Sequence, residues 1–113
     1  MSSFVYFVTS DTIGNQDQEL GKRLINNFFI KLLEADEKPS HILFVESGVK
    51  LLLADFAAVS ALKILESEFG VKLLACVTCL DFYGIRDKIE TGQISSMPEI
   101  ISAMHEADKV IHI

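Results

Sequence analysis

The chain predicts an α/β fold, a three-layer α/β/α sandwich on a parallel sheet of four or five strands. Two observations lead there. Short apolar runs rich in β-branched and aromatic residues have the composition of strands covered on both faces. Between them, apolar residues recur every three to four positions, the stripe of a core-facing helix. Alternation of the two makes βαβ units, whose right-handed crossovers build a parallel sheet with helices on both faces.

The first strand is FVYFV, Phe4 to Val8, broken by the polar TSDTIGNQD. From roughly Asp17 to Asp36, Leu20, Leu24, Ile25, Phe28, Phe29, Leu32 and Leu33 form a helical stripe that Pro39 brings to an end. HILFVES repeats the strand signature, and Phe56 to Phe69 reads as a second helix, with Val59, Leu62 and Leu65 or Phe69 on one face and Gly70 as its stop. VKLLACV is the third strand. SMPE, Ser96 to Glu99, is a capping-box pattern with proline in the first turn, ahead of Ile100, Ile101 and Met104. KVIHI closes the sheet. Gln93 to Ser95 is too short to assign from its pattern.

At 113 residues the chain reads as one domain, 1–113, with no repeat, low-complexity tract or linker. It is 50% hydrophobic with a mean hydropathy of +0.34, yet no apolar stretch approaches the ~20 residues that cross a bilayer. The apolar excess is expected inside the core or between subunits. A net charge of -6 and a pI near 4.9, with no Lys/Arg cluster, exclude nucleic acid as an expected partner. The opening MSSFVYFVTSD lacks the marks of a signal peptide, and two cysteines are too few for a disulfide framework, so a reducing cytoplasm is the expected compartment.

Ligands of open parallel sheets collect beyond the carboxyl ends of the strands. That rule selects three loops: TSDTIGN with Thr9, Ser10 and Asp11; ESGVK with Ser47, Gly48 and Lys50; and CVTCLDFYG with Cys76, Cys79, Asp81 and Tyr83. The Cys-x-x-C admits four readings: a redox disulfide, half a metal site, a reactive thiol with a helper, or two buried small residues. Cys76 continues the apolar run KLLAC and suits strand-end packing equally well. Cys79, past the strand in a polar turn, is the candidate reactive thiol. A helix N-terminus would lower its pKa, as would Lys50 or Arg86 if close, whereas Asp81 would raise it if the two face each other.

Zinc is not expected, because Cys-x-x-C supplies two ligands and His41, His105 and His112 have no complementary spacing. The tryptophan and Gly-Pro of thioredoxin-type sites are absent. There is neither a Walker A motif nor G-x-G-x-x-G, so SGVK reads as a solvated turn with one lysine. Asp11 suits a turn or helix cap, and His105 and His112 suit surface positions. No Ser-His-Asp arrangement follows from spacing.

Taken together, VTSDTIGNQDQELGKRL, ILFVESGVKLLL, LLACVTCLDFYGIRDKIETGQISSMPEI and the terminal ADKVIHI resemble the DsrE/DsrF-like family, most closely the C-terminal domain of its YedF-type, selenium-metabolism-associated branch. The resemblance spans essentially the whole chain. It implies a parallel sandwich of about five strands, with a short fourth strand near Gly92 to Ser95. It also implies sulfur or selenium chemistry without a cofactor: a persulfide carried on a cysteine near a strand end, here Cys79 or Cys76, and passed on within a homo-oligomer. The donor or acceptor it implies is a TusA-like protein or a cysteine desulfurase. The Cys-Pro-x-Pro motif of the TusA-like domain that commonly precedes this one does not occur, so such a partner is expected to act in trans.

Two other readings stand beside this one. In the first, the chain is a non-catalytic assembly subunit whose apolar excess builds an oligomer. In the second, it is a small-molecule binding module using Thr9 to Asp11, Ser47 to Lys50 and Tyr83.

Overall fold

A computed structural model describes residues 3–113; Met1 and Ser2 of the opening stretch lie outside the described residues. Five strands, β1 Phe4–Val8, β2 His41–Phe44, β3 Lys72–Cys76, β4 Gln93–Ser95 and β5 Lys109–His112, form one sheet in the order β4-β3-β2-β1-β5. Every pairing is parallel. Four helices, α1 Gln18–Leu32, α2 Ala58–Phe69, α3 Val77–Tyr83 and α4 Met97–Glu106, and a 3-10 helix at Glu46–Leu52 complete the chain. No described helix is long and apolar enough to cross a membrane.

Strand order dictates the layers. From β1 to β4 the chain always steps the same way, so right-handed crossovers hold α1, α2 and the β3–β4 connection on one face. The step from β4 back to β5 reverses direction and leaves α4 alone on the other. The core divides accordingly. Ile25, Phe29, Leu62, Leu65, Leu52 and Leu80 pack against Val8, Ile42, Phe44, Leu73 and Ala75, while Ile100 and Ala103 pack against Val5, Leu43, Leu74 and Cys76. Complete burial of a Phe or Leu side chain stabilises by about 1.5–3 kcal/mol each before entropy is counted.

The helix boundaries follow local chemistry. Asp17 caps α1 by accepting the Leu20 N–H at 3.0 Å. Gly70, at φ 70°, ends α2 in the left-handed conformation that glycine adopts without strain. Glu99 accepts the Ser96 N–H at 3.1 Å, the expected cap of α4, and this bond holds its carboxyl below the usual range.

Three expectations are corrected. The first helix stops at Leu32, well before Pro39, because the N–H groups of Glu34 and Ala35 bond back three residues rather than four, tightening the chain out of α geometry. Leu20 and Leu24 are 55% and 43% exposed. Gly21 takes the buried place instead, since a Cβ there would lie 2.7 Å from the Thr12 side chain. ESGVK is not a solvated turn but the start of the 3-10 helix, with Gly48, Val49, Leu51 and Leu52 buried.

Gly48 seats that helix on the end of β1. A Cβ on it would lie 2.5 Å from the Val8 carbonyl oxygen, which is backbone and cannot move aside. Gly48→Ala is therefore expected to lower unfolding stability by about 1–3 kcal/mol, the usual cost of overpacking; urea denaturation with an unchanged midpoint would contradict this seating.

Candidate functional site

The three loops selected from the sequence meet along the carboxyl edge of the sheet. The Asp11 N–H donates to the Ser47 hydroxyl at 3.2 Å, tying the first loop to the second. The Glu46 N–H donates to Cys79 Sγ at 3.2 Å, tying the second to the third. Two depressions lie on either side of this Glu46–Ser47 junction.

The larger, about 540 Å³, opens where the strand order reverses between β1 and β5, the position at which α/β sheets commonly receive ligands. Thr9, Ser10, Asp11, Ser47 and His112 line it. Its floor is rigidly held: the Thr12 N–H donates to the Ser10 hydroxyl, the Thr12 hydroxyl donates to the Gly14 carbonyl, and Thr9 Oγ1 lies 2.9 Å from His112 Nε2. Gly48 lines neither depression; it is the packing contact on Val8.

The smaller, about 240 Å³, is formed by Glu46, Thr78, Cys79, Phe82 and Tyr83. Cys76 is the last residue of β3 and the N-cap of α3, buried at 2% exposure. Cys79 sits one turn on, half-buried, and touches both core clusters. Both thiols are free. The structure thus brings Cys79, Cys76 and Tyr83 together, with Cys76 beneath and Cys79 at the surface. Among the described residues, no three His, Cys, Asp or Glu side chains converge to hold a metal ion.

At Cys79 the sequence set the helix N-terminus against Asp81, and the structure decides the direction by neither. Burial pushes the thiol above its ordinary range, the Cys76 thiol beside it adds to the rise, the Glu46 N–H pulls the other way, and the Glu46 carboxylate contributes a smaller push upward. α3 has only seven residues, and Cys79 lies within its first turn against the core, so desolvation outweighs the donors.

Asp81 plays no part in this balance. It turns to Arg86 at 3.5 Å, because residues two apart on a helix point to opposite sides. Lys50 lies over the Tyr83 ring, its ammonium 4.3 Å from the centroid, a cation–π contact rather than a partner for sulfur.

Thr78, Phe82 and Glu46 of the smaller depression and His112 of the larger were not singled out as site residues from the sequence. Phe82 is 83% exposed beside Cys79, and an aromatic after Leu-Asp carried no sign of it. Glu46 is the one non-glycine among the described residues with positive φ, 52°. That conformation costs an ordinary residue roughly 1–2 kcal/mol, and nothing in VESG announces it.

The fold and the edge thiol together define a small parallel α/β sandwich presenting one accessible cysteine where its third strand passes into a helix. A family model described as DsrE/DsrF-like matches residues 3–113, and the chain belongs to the DsrE/DsrF-like family. Among solved structures, it is similar to the ychN protein from E. coli, with a TM-score of 0.74 and 21% identity over 100% of both chains. It is also similar to MTH1491, a protein of unknown function from Methanobacterium thermoautotrophicum, with a TM-score of 0.69 and 20% identity over 100% of both chains. At these identities the likeness is one of fold. No curated protein matches the chain.

Alkylation with iodoacetamide measures the state of the thiols. Cys79 is expected to label in the native protein with a midpoint above the ~8.5 of an ordinary thiol. Cys76 is expected to label only after unfolding. A Cys79 midpoint at or below the ordinary value would contradict the dominance of burial.

Proposed function

We infer that the protein is a sulfur carrier of the persulfide-relay type, with Cys79 as the carrying residue. The observation that supports this most is the placement of a half-buried thiol at the carboxyl edge of the sheet, accepting a backbone N–H at 3.2 Å with a second free thiol beneath it. The Cys79 thiolate attacks the outer sulfur of a donor persulfide. A new S–S bond forms at Cys79, the donor S–S bond breaks, and the donor leaves as a thiolate. The Glu46 N–H, already on Sγ, holds the inner sulfur so that the outer one projects into the depression.

Discharge has two routes. An acceptor thiolate attacks the outer sulfur and carries it away, leaving the Cys79 thiolate. Without an acceptor, the Cys76 thiolate attacks the inner sulfur, hydrosulfide leaves, and a Cys76–Cys79 disulfide remains for a dithiol reductant to open. Burial of Cys76 makes this second route slow, a property suited to a carrier. Selenium enters by the same attack from a perselenide donor. A TusA-like protein or a cysteine desulfurase is the proposed donor, acting on a homo-oligomeric carrier.

Incubation of the reduced protein with a cysteine desulfurase and cysteine, followed by intact-mass measurement, tests this. The wild type is expected to gain one sulfur atom, Cys79→Ser none, and Cys76→Ser the same adduct with a lifetime several-fold longer. An adduct that survives in Cys79→Ser, or none in wild type with desulfurase alone or with a TusA-like intermediary, would overturn the assignment.

A further inference from the structure

We propose that the Glu46 carboxylate makes Cys79 selective for sulfur donors bearing a positive charge beside the transferred sulfur, which for a protein donor means a basic surface around its persulfide. This rests on the carrier reading above and adds the class of donor.

Glu46 stands where glycine would be expected. At φ 52° a glycine reaches the same turn without steric cost and delivers the same peptide N–H to Cys79. The glutamate side chain is thus held in a conformation that disfavours it, and what it adds is a carboxylate on the rim of the depression that contains Cys79. The two ends of the residue act oppositely on the sulfur. Its N–H donates to Sγ at 3.2 Å, whereas its negative charge opposes ionisation of the thiol.

Among the described residues, none that lines the Cys79 depression is a cation. From α3 and the end of β3 come Thr78, Phe82, Tyr83 and the Cys76 thiol, and from the 3-10 helix comes Glu46. The nearby Tyr83 phenol is pushed up first by burial, then by the negative charges of Glu46, Cys79 and Asp11. Of the two cations that the sequence places close by, Arg86 pairs with Asp81, and Lys50 sits over the Tyr83 ring at the edge of the depression without acting on the Cys79 thiol. The chain as a whole carries -6, so the wider field also draws a basic partner and repels an acidic one.

Attack by Cys79 needs a thiolate, and the departing donor group leaves as a second thiolate. A cation carried by the donor stabilises both anions during the transfer and offsets Glu46. The reduced carrier then stays largely protonated until a donor of the right charge arrives.

Small disulfides of different charge test this without a known partner. The reaction forms a mixed disulfide on Cys79 and releases one thiolate of the probe. In a Cys76→Ser background, rates are measured by intact mass with cystamine (cationic), 2-hydroxyethyl disulfide (neutral) and 3,3'-dithiodipropionate (anionic), each divided by its rate with N-acetylcysteine amide. Cystamine is expected to be several-fold faster than the neutral probe and the anionic probe several-fold slower. In that background, the spread is expected to shrink when Glu46→Gln is added and, with Glu46 present, at ~1 M salt, where screening acts within about 3 Å.

Equal normalised rates in the Cys76→Ser protein, or a spread unchanged by adding Glu46→Gln, would overturn the proposal. The salt series reads the same effect without relying on the variant. A clear charge ranking in a protein that never gains sulfur from a desulfurase sinks the carrier reading and leaves the selectivity standing. Sulfur loading without any ranking does the reverse.

Discussion

Gly48 has no side chain, and the carbonyl oxygen of Val8 lies 2.5 Å from where one would begin. This contact brings the 3-10 helix directly onto the end of β1, further held by the Val45 N–H on the Val8 carbonyl and the Gly48 N–H on the Val45 carbonyl. Little chain is left to turn from strand to helix, and Glu46 makes that turn in the left-handed conformation. Its N–H thereby points across to α3 and meets Cys79 Sγ. The roughly 1–2 kcal/mol of strain at a left-handed non-glycine residue is offset by the burial of Val49, Leu51 and Leu52 just beyond it. The same junction places Ser47 on the Asp11 N–H, so all three edge loops depend on it.

At Cys79 two opposing effects meet, and their relative size decides the chemistry. A backbone donor favours the sulfur anion, and contact with the core disfavours it; burial is the larger. The outcome is a thiol protected by protonation but geometrically ready. On the proposed carrier reading, a second sulfur attached to Cys79 would hold the charge mainly on its outer atom, farther from the core. Desolvation then weighs less on the loaded form than on the empty one. A half-buried thiol kept protonated in this way resists adventitious oxidation.

Most of the fold was legible because the strands are continuous apolar runs and the helices are periodic, and both patterns survive without tertiary context. β4 was illegible from pattern alone, having three residues of which Gln93 and Ile94 face solvent; the family resemblance supplied it. The 3-10 helix escaped because its three-residue turn leaves no long stripe. Exposure of Leu20 and Leu24 reflects the approach of Gly21 to Thr12, a contact between segments that no local pattern encodes. In the candidate site, the edge rule selected loops that do meet along the carboxyl edge, and the spacing of Cys79 and Asp81 was itself enough to separate them once α3 is known to begin at Val77. Glu46 was hidden for a deeper reason: left-handed backbone at a glutamate is imposed by packing around Gly48, not by its own propensity.

The contact between Glu46 and Cys79 is open to direct observation. In an amide-resolved NMR titration, the Glu46 N–H resonance is predicted to shift downfield as Cys79 ionises, with a midpoint above the ~8.5 of an ordinary thiol, and the shift is predicted to vanish in Cys79→Ser. A Glu46 amide that does not move with Cys79, or that titrates at or below the ordinary thiol value, would contradict the account.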